Sequence, residues 1–218
     1  MKYRAVFFDM DGTVLDTIED LTNAVNEAML HYGYPTHDTD LVRRLLGSGA
    51  KYLITGCLPE GTPRSRQEEV LAYYKSYYRT HNRILTKPYA GVRELLAELQ
   101  AHGVTCAVIS NKPDPDVKDL GLHFFPGVYC IGERPGIKRK PDPESILLTL
   151  AEMHMDSKEA IYVGDSENDI LAARNAGVFG VSVSYGFRNR AWLEAEGASC
   201  IVDSVPALRE MLLSLCIL

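Results

Sequence analysis

The sequence predicts an α/β protein: an open parallel sheet flanked by helices, interrupted after its first strand by a small helical domain. Three observations carry this. Five short runs rich in β-branched and aromatic residues, 3–8, 104–109, 128–131, 160–163 and 178–183, are apolar almost without a break, as strands covered on both faces must be. Helix-patterned segments alternate with them. Between about 18 and 85 the pattern is helical throughout, with no convincing strand. The expected division is a core of residues 1–16 and 86–218 and a helical insertion of 17–85.

Each element has its own signal. Segment 20–33 opens on Asp20 as a helix cap and closes at Gly33, and 64–81 sets Val70, Leu71, Tyr74, Tyr77 and Tyr78 at spacings near a helical turn, which reads as packing inside the insertion. Segment 91–103 places Val92, Leu95, Leu96 and Leu99 on one face and stops at Gly103. Segment 114–127 is short and contains Pro115, so a truncated helix or a turn is expected there. Segment 142–154 has Pro143 near its start and Ile146, Leu147, Leu150 and Met153 along one face. An insertion after the first strand lies at the carboxyl edge of the sheet, where open α/β folds bind ligands.

Composition narrows the function classes. A chain of 218 residues, 46% hydrophobic and 24% charged, is ordinary for a globular protein. A net charge of −6 argues against a nucleic-acid partner. Cys57, Cys106, Cys130, Cys200 and Cys216 are odd in number and widely spaced, which suits reduced core cysteines and a cytoplasmic location. No membrane span and no signal peptide is expected. The apolar stretch 212–218 reads as a docked helix end, with a dimer contact as the alternative, so monomer and homodimer both stay open.

The chemistry begins where the first strand ends, on Asp9 and Asp11, followed by Gly12 and Thr13. Two carboxylates two residues apart share a face if the strand continues. They repel unless a cation or proton holds them, and Mg²⁺ is a natural partner for such oxygens; a surface turn is the plain alternative. The run 160–163 ends in the same way, on Gly164 and Asp165 with Asp169 four residues on, although Asp165 or Ser166 as an N-cap with Asp169 in the first turn explains that segment too. Ser110 and Asn111 end another strand with groups able to donate to phosphate oxygens. Of the basic triplet Lys138, Arg139 and Lys140, usually a solvated loop, Lys140 stands next to Pro141, which fixes the chain before the following helix.

Taken in order, DMDGT (9–13), SNK (110–112), KPDP (140–143) and GDSENDI (164–170) resemble the four motifs of the haloacid dehalogenase-like hydrolases. The resemblance spans essentially the whole chain. It implies a Rossmann-like three-layer core, with the helical insertion as the family's cap domain, and a Mg²⁺-dependent phosphatase acting on a small phosphorylated metabolite. Asp9 would be the nucleophile that becomes an aspartyl-phosphate, and Asp11 the acid that protonates the leaving alkoxide and then activates water. The metal would be held by Asp9, Asp165 and the backbone carbonyl of Asp11, with Asp169 ordering the surroundings or binding through water. Ser110 and Lys140 would neutralise the phosphoryl oxygens, assisted by Thr13 and Asn111. The acid at Asp11 favours phosphoester hydrolysis over dehalogenation. The stretch 45–54 is similar to the cap loop of phosphoglycolate phosphatases, so Arg43, Gly47, Ser48 and Gly49 are expected to select the substrate, with 2-phosphoglycolate first. Lys51 faintly echoes the phosphosugar mutases of the beta-phosphoglucomutase type, which stay as the alternative beside a non-catalytic phosphate-binding module.

Overall fold

A computed structural model describes residues 3–217; Met1, Lys2 and Leu218, the ends of the expected domain boundaries, lie outside the described residues. The chain divides into two compact units, Asp16–Lys87 and the described residues on either side of it. The flanking unit carries a six-stranded sheet in the order β5-β4-β1-β6-β7-β8, and each of its five strand pairings is parallel. Its strands are β1 (Ala5–Phe8), β4 (Thr105–Pro113), β5 (Tyr129–Glu133), β6 (Ala160–Gly164), β7 (Phe179–Val183) and β8 (Ile201–Val202). Two short strands where the chain passes between the units, β2 (Leu15–Asp16) and β3 (Lys87–Pro88), form a separate pair.

The unbroken apolar character of β1 follows from its place. It pairs with β4 on one side and β6 on the other, and its four residues are at most 1% exposed. Strand alternation sends Val6 and Phe8 into a layer with Leu95 and Leu99 of α5 (Val92–Ala101), Leu120 of α6 (Asp114–Phe124) and Leu212 of α10 (Val205–Cys216). Ala5 and Phe7 go into the opposite layer with Ile146 and Leu150 of α7 (Glu144–Glu152) and Ala172 and Ala173 of α8 (Glu167–Ala176). The apolar end of the chain is accordingly a docked helix, with Leu212 and Cys216 fully buried. A six-residue helix, α9 (Arg190–Ala195), precedes β8. All five cysteines are free.

The other unit consists of α1 (Ile18–His31), α2 (Thr39–Leu45), α3 (Ala50–Cys57) and α4 (Arg64–His81). Of the α4 residues expected inside, Val70, Tyr74 and Tyr78 are buried, and the two rings stack at 5.8 Å. Leu71 and Tyr77 are half-buried, Tyr77 lying flat on His81 at 3.9 Å.

Two local expectations are corrected. Residues 114–127 hold a full helix, α6, because Pro115 falls in its first turn, where a missing N–H breaks no helical bond. Asp20 is not a cap: Thr17 precedes the helix, and the Asp20 carboxylate, in the first turn of α1, accepts hydrogen bonds from the backbone N–H groups of Ile84, Leu85 and Thr86 at 2.8–3.0 Å.

Candidate active site

β1, β4 and β6 are neighbours in the sheet and parallel, so the residues that follow them emerge at one carboxyl edge, on either side of the point where strand order reverses. Asp9 leaves β1 while its N–H still donates to Val163 O at 2.8 Å. The chain then turns on Met10, whose carbonyl accepts from Val14 and Leu15. Gly12 has φ +84°, and a Cβ there would stand 2.2 Å from Asp165 Oδ2, so both the turn and the neighbouring carboxylate require glycine. Gly164 and Gly186 leave similar room, the first for the Asp169 carboxylate and the second for Gly12 O and Asp165.

Asp9, Asp165 and Asp169 form the acidic centre. All three are buried, and each brings one oxygen within 4.8 Å of the others. Lys140, its side chain 2% exposed, stands between them, 2.8 Å from Asp9 Oδ1 and 2.7 Å from Asp169 Oδ1. Burial pushes the Asp9 carboxyl up to about 7, with the charges of Asp169 and Asp11 adding and Lys140 opposing. Burial, with Asp169 and Asp9 beside it, holds Asp165 well above the usual carboxylate range, against the Phe187 N–H and Arg188. For Lys140 burial disfavours the charge, but Asp169 and Asp9 outweigh it and keep the ammonium well above the ordinary lysine value. With all three carboxylates ionised, the single ammonium would leave an excess of two negative charges in a buried site, the charge of one divalent cation. Asp9 Oδ1 is buried and makes no hydrogen bond, so it has a lone pair to offer. An oxygen-only donor set of this kind fits a hard cation.

The remaining residues fall into place around this centre. The Asp169 carboxylate serves two ends at once: Oδ2 accepts from Ser166 N–H at 3.1 Å and its hydroxyl at 2.6 Å, closing a capping box on α8, and Oδ1 accepts from Lys140. The cap reading of that segment therefore holds for Ser166, and the same carboxylate also faces Lys140. Asp165 Oδ2 accepts from Phe187 N at 2.6 Å, while Thr13 Oγ1 lies 3.5 Å from Oδ1. Asp11 pairs with Lys112 at 3.1 Å, at the margin of the buried region. Ser110 Oγ accepts from Lys112 N at 3.3 Å, which leaves its hydroxyl hydrogen for another acceptor.

The Asn111 side chain is engaged with the protein backbone. Its Nδ2 donates to Lys140 O and its Oδ1 accepts from Lys140 N, both at 2.9 Å, so the amide clamps the backbone of the lysine. Within the basic triplet only Lys140 is buried; Lys138 and Arg139 pair with Asp142 and Glu133. Arg43, Gly47, Ser48 and Gly49 lie in the helical unit. Arg43 pairs with Asp40 at 2.8 Å, and Gly47 and Gly49 take φ of 104° and 86°, just ahead of α3.

Three contributors escape a reading of the sequence. Lys112 lies inside the quoted SNK stretch, where a charge buried in a strand is itself a signal. Tyr162 bears the one hydroxyl of an otherwise apolar strand. The segment 185–188 closes the site from β7: Tyr185 Oη donates to Thr13 O at 3.1 Å, Phe187 N holds Asp165, and Arg188 forks onto Glu167 at 3.1 and 3.3 Å. A glycine just past a strand end, Gly186, was its only mark in the sequence.

Residues 6–183 match the family model of haloacid dehalogenase-like hydrolases. The phosphoglycolate phosphatase of Pseudomonas putida (strain KT2440) is 33% identical over 94% of this chain and 78% of its own length. That of Vibrio cholerae is 32% identical over 96% of this chain and 97% of its own. Among solved structures, one from Lactobacillus delbrueckii subsp. bulgaricus, provisionally named a phosphoglycolate phosphatase, has a TM-score of 0.91 at 34% identity, covering 97% of this chain and 98% of that one. No helix among the described residues is long and apolar enough to cross a membrane.

Proposed function

Since the chain belongs to the haloacid dehalogenase-like hydrolases, we propose that it is a phosphatase that cleaves a small phosphate monoester, 2-phosphoglycolate first among candidates, through an aspartyl-phosphate on Asp9. The observation that carries this is the buried centre itself: Asp9 and Asp165 just past the ends of two adjacent strands, Asp169 from the first turn of α8, one lysine beside them, and Asp9 Oδ1 left without a hydrogen bond.

Asp9 attacks phosphorus, and the ester oxygen leaves with a proton from Asp11, which stands at the more open margin of the site beside Lys112. The same carboxylate then takes a proton from the water that cleaves the acyl phosphate, returning Asp9. Lys140 and the Ser110 hydroxyl compensate charge on the transferring phosphoryl oxygens. Thr13 steadies the loop that carries both aspartates. Mg²⁺ fits the donor set and would be held by Asp9, Asp165 and the carbonyl of Asp11, with Asp169 ordering the surroundings; it would supply positive charge to the phosphoryl group. Selection among phosphate esters is assigned to Arg43, Gly47, Ser48 and Gly49. Five free cysteines suit a cytoplasmic enzyme.

The test is a panel of small phosphate esters, including 2-phosphoglycolate and hexose phosphates, incubated with and without Mg²⁺ and followed by phosphorus NMR. Metal-dependent appearance of inorganic phosphate supports hydrolysis. An isomeric sugar phosphate without free phosphate would make the chain a mutase, and no reaction on any ester would leave the binding module.

A further inference from the structure

An ammonium group carries three hydrogens, yet four oxygens lie within 3.1 Å of Lys140 Nζ. Ile109 O at 3.1 Å, Tyr162 Oη at 2.7 Å and Asp169 Oδ1 at 2.7 Å each accept a hydrogen bond from it. Asp9 Oδ1, at 2.8 Å, accepts none, although it is close enough to do so. Three acceptors match the three hydrogens, and the fourth oxygen, that of Asp9, is left in a charge pair outside hydrogen-bond geometry.

Tyr162 is the member of this set that packing does not explain. It is 1% exposed in the middle of β6, in an apolar layer with Ile109, Ile146 and Leu150 that a phenylalanine ring would fill as well. Its hydroxyl is turned to the catalytic edge, 3.2 Å from both Ile109 O and Asp169 Oδ1, so its own hydrogen has an acceptor while a lone pair receives Lys140. Ile109 O and Asp169 Oδ1 account for two of the ammonium's hydrogens. Without the hydroxyl the third would turn to the nearest oxygen left, that of Asp9.

We propose that Tyr162 is a positioning residue for phosphoryl transfer: by accepting the third hydrogen of Lys140 it keeps the Asp9 carboxylate paired in charge but free of a hydrogen bond, with its lone pair open to phosphorus. A carboxylate oxygen that accepts a charge-assisted hydrogen bond is a weaker nucleophile, because the bond draws electron density from it and occupies one of its lone pairs. The role rests on the reading of Asp9 as nucleophile.

The test compares wild type with Tyr162→Phe, and with Tyr162→Met as a second variant lacking the hydroxyl, by single-turnover cleavage of 2-phosphoglycolate at saturating Mg²⁺, by KM, and by thermal midpoint. The expected result is a cleavage rate reduced about tenfold, the scale of one hydrogen bond to a charged group, with KM within about twofold and a cooperative melt retained. A purely structural role would lower the midpoint and leave the cleavage rate per folded molecule unchanged; that result in whichever variant folds overturns the proposal. A wild type that cleaves no phosphate ester overturns the phosphatase reading itself, and this inference with it.

Discussion

Replacing Asp9 by asparagine removes one of three buried carboxylates that share a single ammonium, so the metal-free protein is expected to gain stability as it loses its nucleophile. The size follows from the Asp9 environment. Burial, reinforced by Asp169 and Asp11 and opposed by Lys140, carries its carboxyl from 3.8 to about 7. At about 1.4 kcal/mol per pH unit this amounts to about 4 kcal/mol. The folded state therefore binds the proton more tightly than the unfolded state: the contribution of Asp9 is fully favourable below about pH 4 and is lost as the pH rises through about 7. Asp165, also raised, acts in the same direction. Asp9→Asn, which has the same shape and no charge to bury, is insensitive to this term. Melting curves in chelator should show wild type and variant nearly coincident at pH 4 and separated by about 10 °C at pH 8 in favour of the variant, for a core of this size. Mg²⁺ should close the gap by stabilising the wild type alone, since only it retains the full charge. A variant that is equally or less stable than wild type at pH 8 without metal would refute the reasoning.

Further outcomes follow from neighbouring residues. Lys140→Ala strips the acidic centre of its buried cation; phosphate release should fall by about 10²–10³-fold, and metal-free stability at pH 8 by about 3–5 kcal/mol, both read on one preparation by enzyme assay and urea titration. Gly12→Ala forces a Cβ to 2.2 Å from Asp165 Oδ2 at a φ of +84°; it should cost about 1–2 kcal/mol in backbone strain and raise the Mg²⁺ concentration needed for half-maximal thermal stabilisation. Asp20→Ala leaves the N–H groups of Ile84, Leu85 and Thr86 without their acceptor; the helical unit should lose about 3 kcal/mol, seen as an earlier helical transition in urea by circular dichroism.

What could be read in advance depended on whether a residue's neighbours are close in sequence. β1 and β6 were legible because burial on both faces leaves an apolar run with no polar interruption, and the acids that end those runs stand out for the same reason. β8, two residues long, and the short helices α2 and α3 give too few periods to detect. Pro115 misled because its meaning depends on whether it falls inside a helix or in its first turn. At the site, the identities of Asp9, Asp165 and Lys140 were visible and the resemblance implied their roles, but the contacts that join them were not. For Asn111 the sequence showed an amide able to donate, but not that the fold brings the Lys140 backbone to it. Tyr162 looked like one more strand residue, because only the arrival of Lys140 from a distant loop gives its hydroxyl a purpose.

The account rests on Asp9 receiving the phosphoryl group. The most direct test is a rapid acid quench of the enzyme turning over 2-phosphoglycolate with Mg²⁺, followed by mass spectrometry of the peptide that carries Asp9. A phosphoryl adduct on Asp9 that forms before phosphate appears, and that is absent without metal and in Asp9→Asn, is the predicted result. Phosphate release with no adduct on that peptide, or turnover by Asp9→Asn equal to that of the wild type, would contradict it.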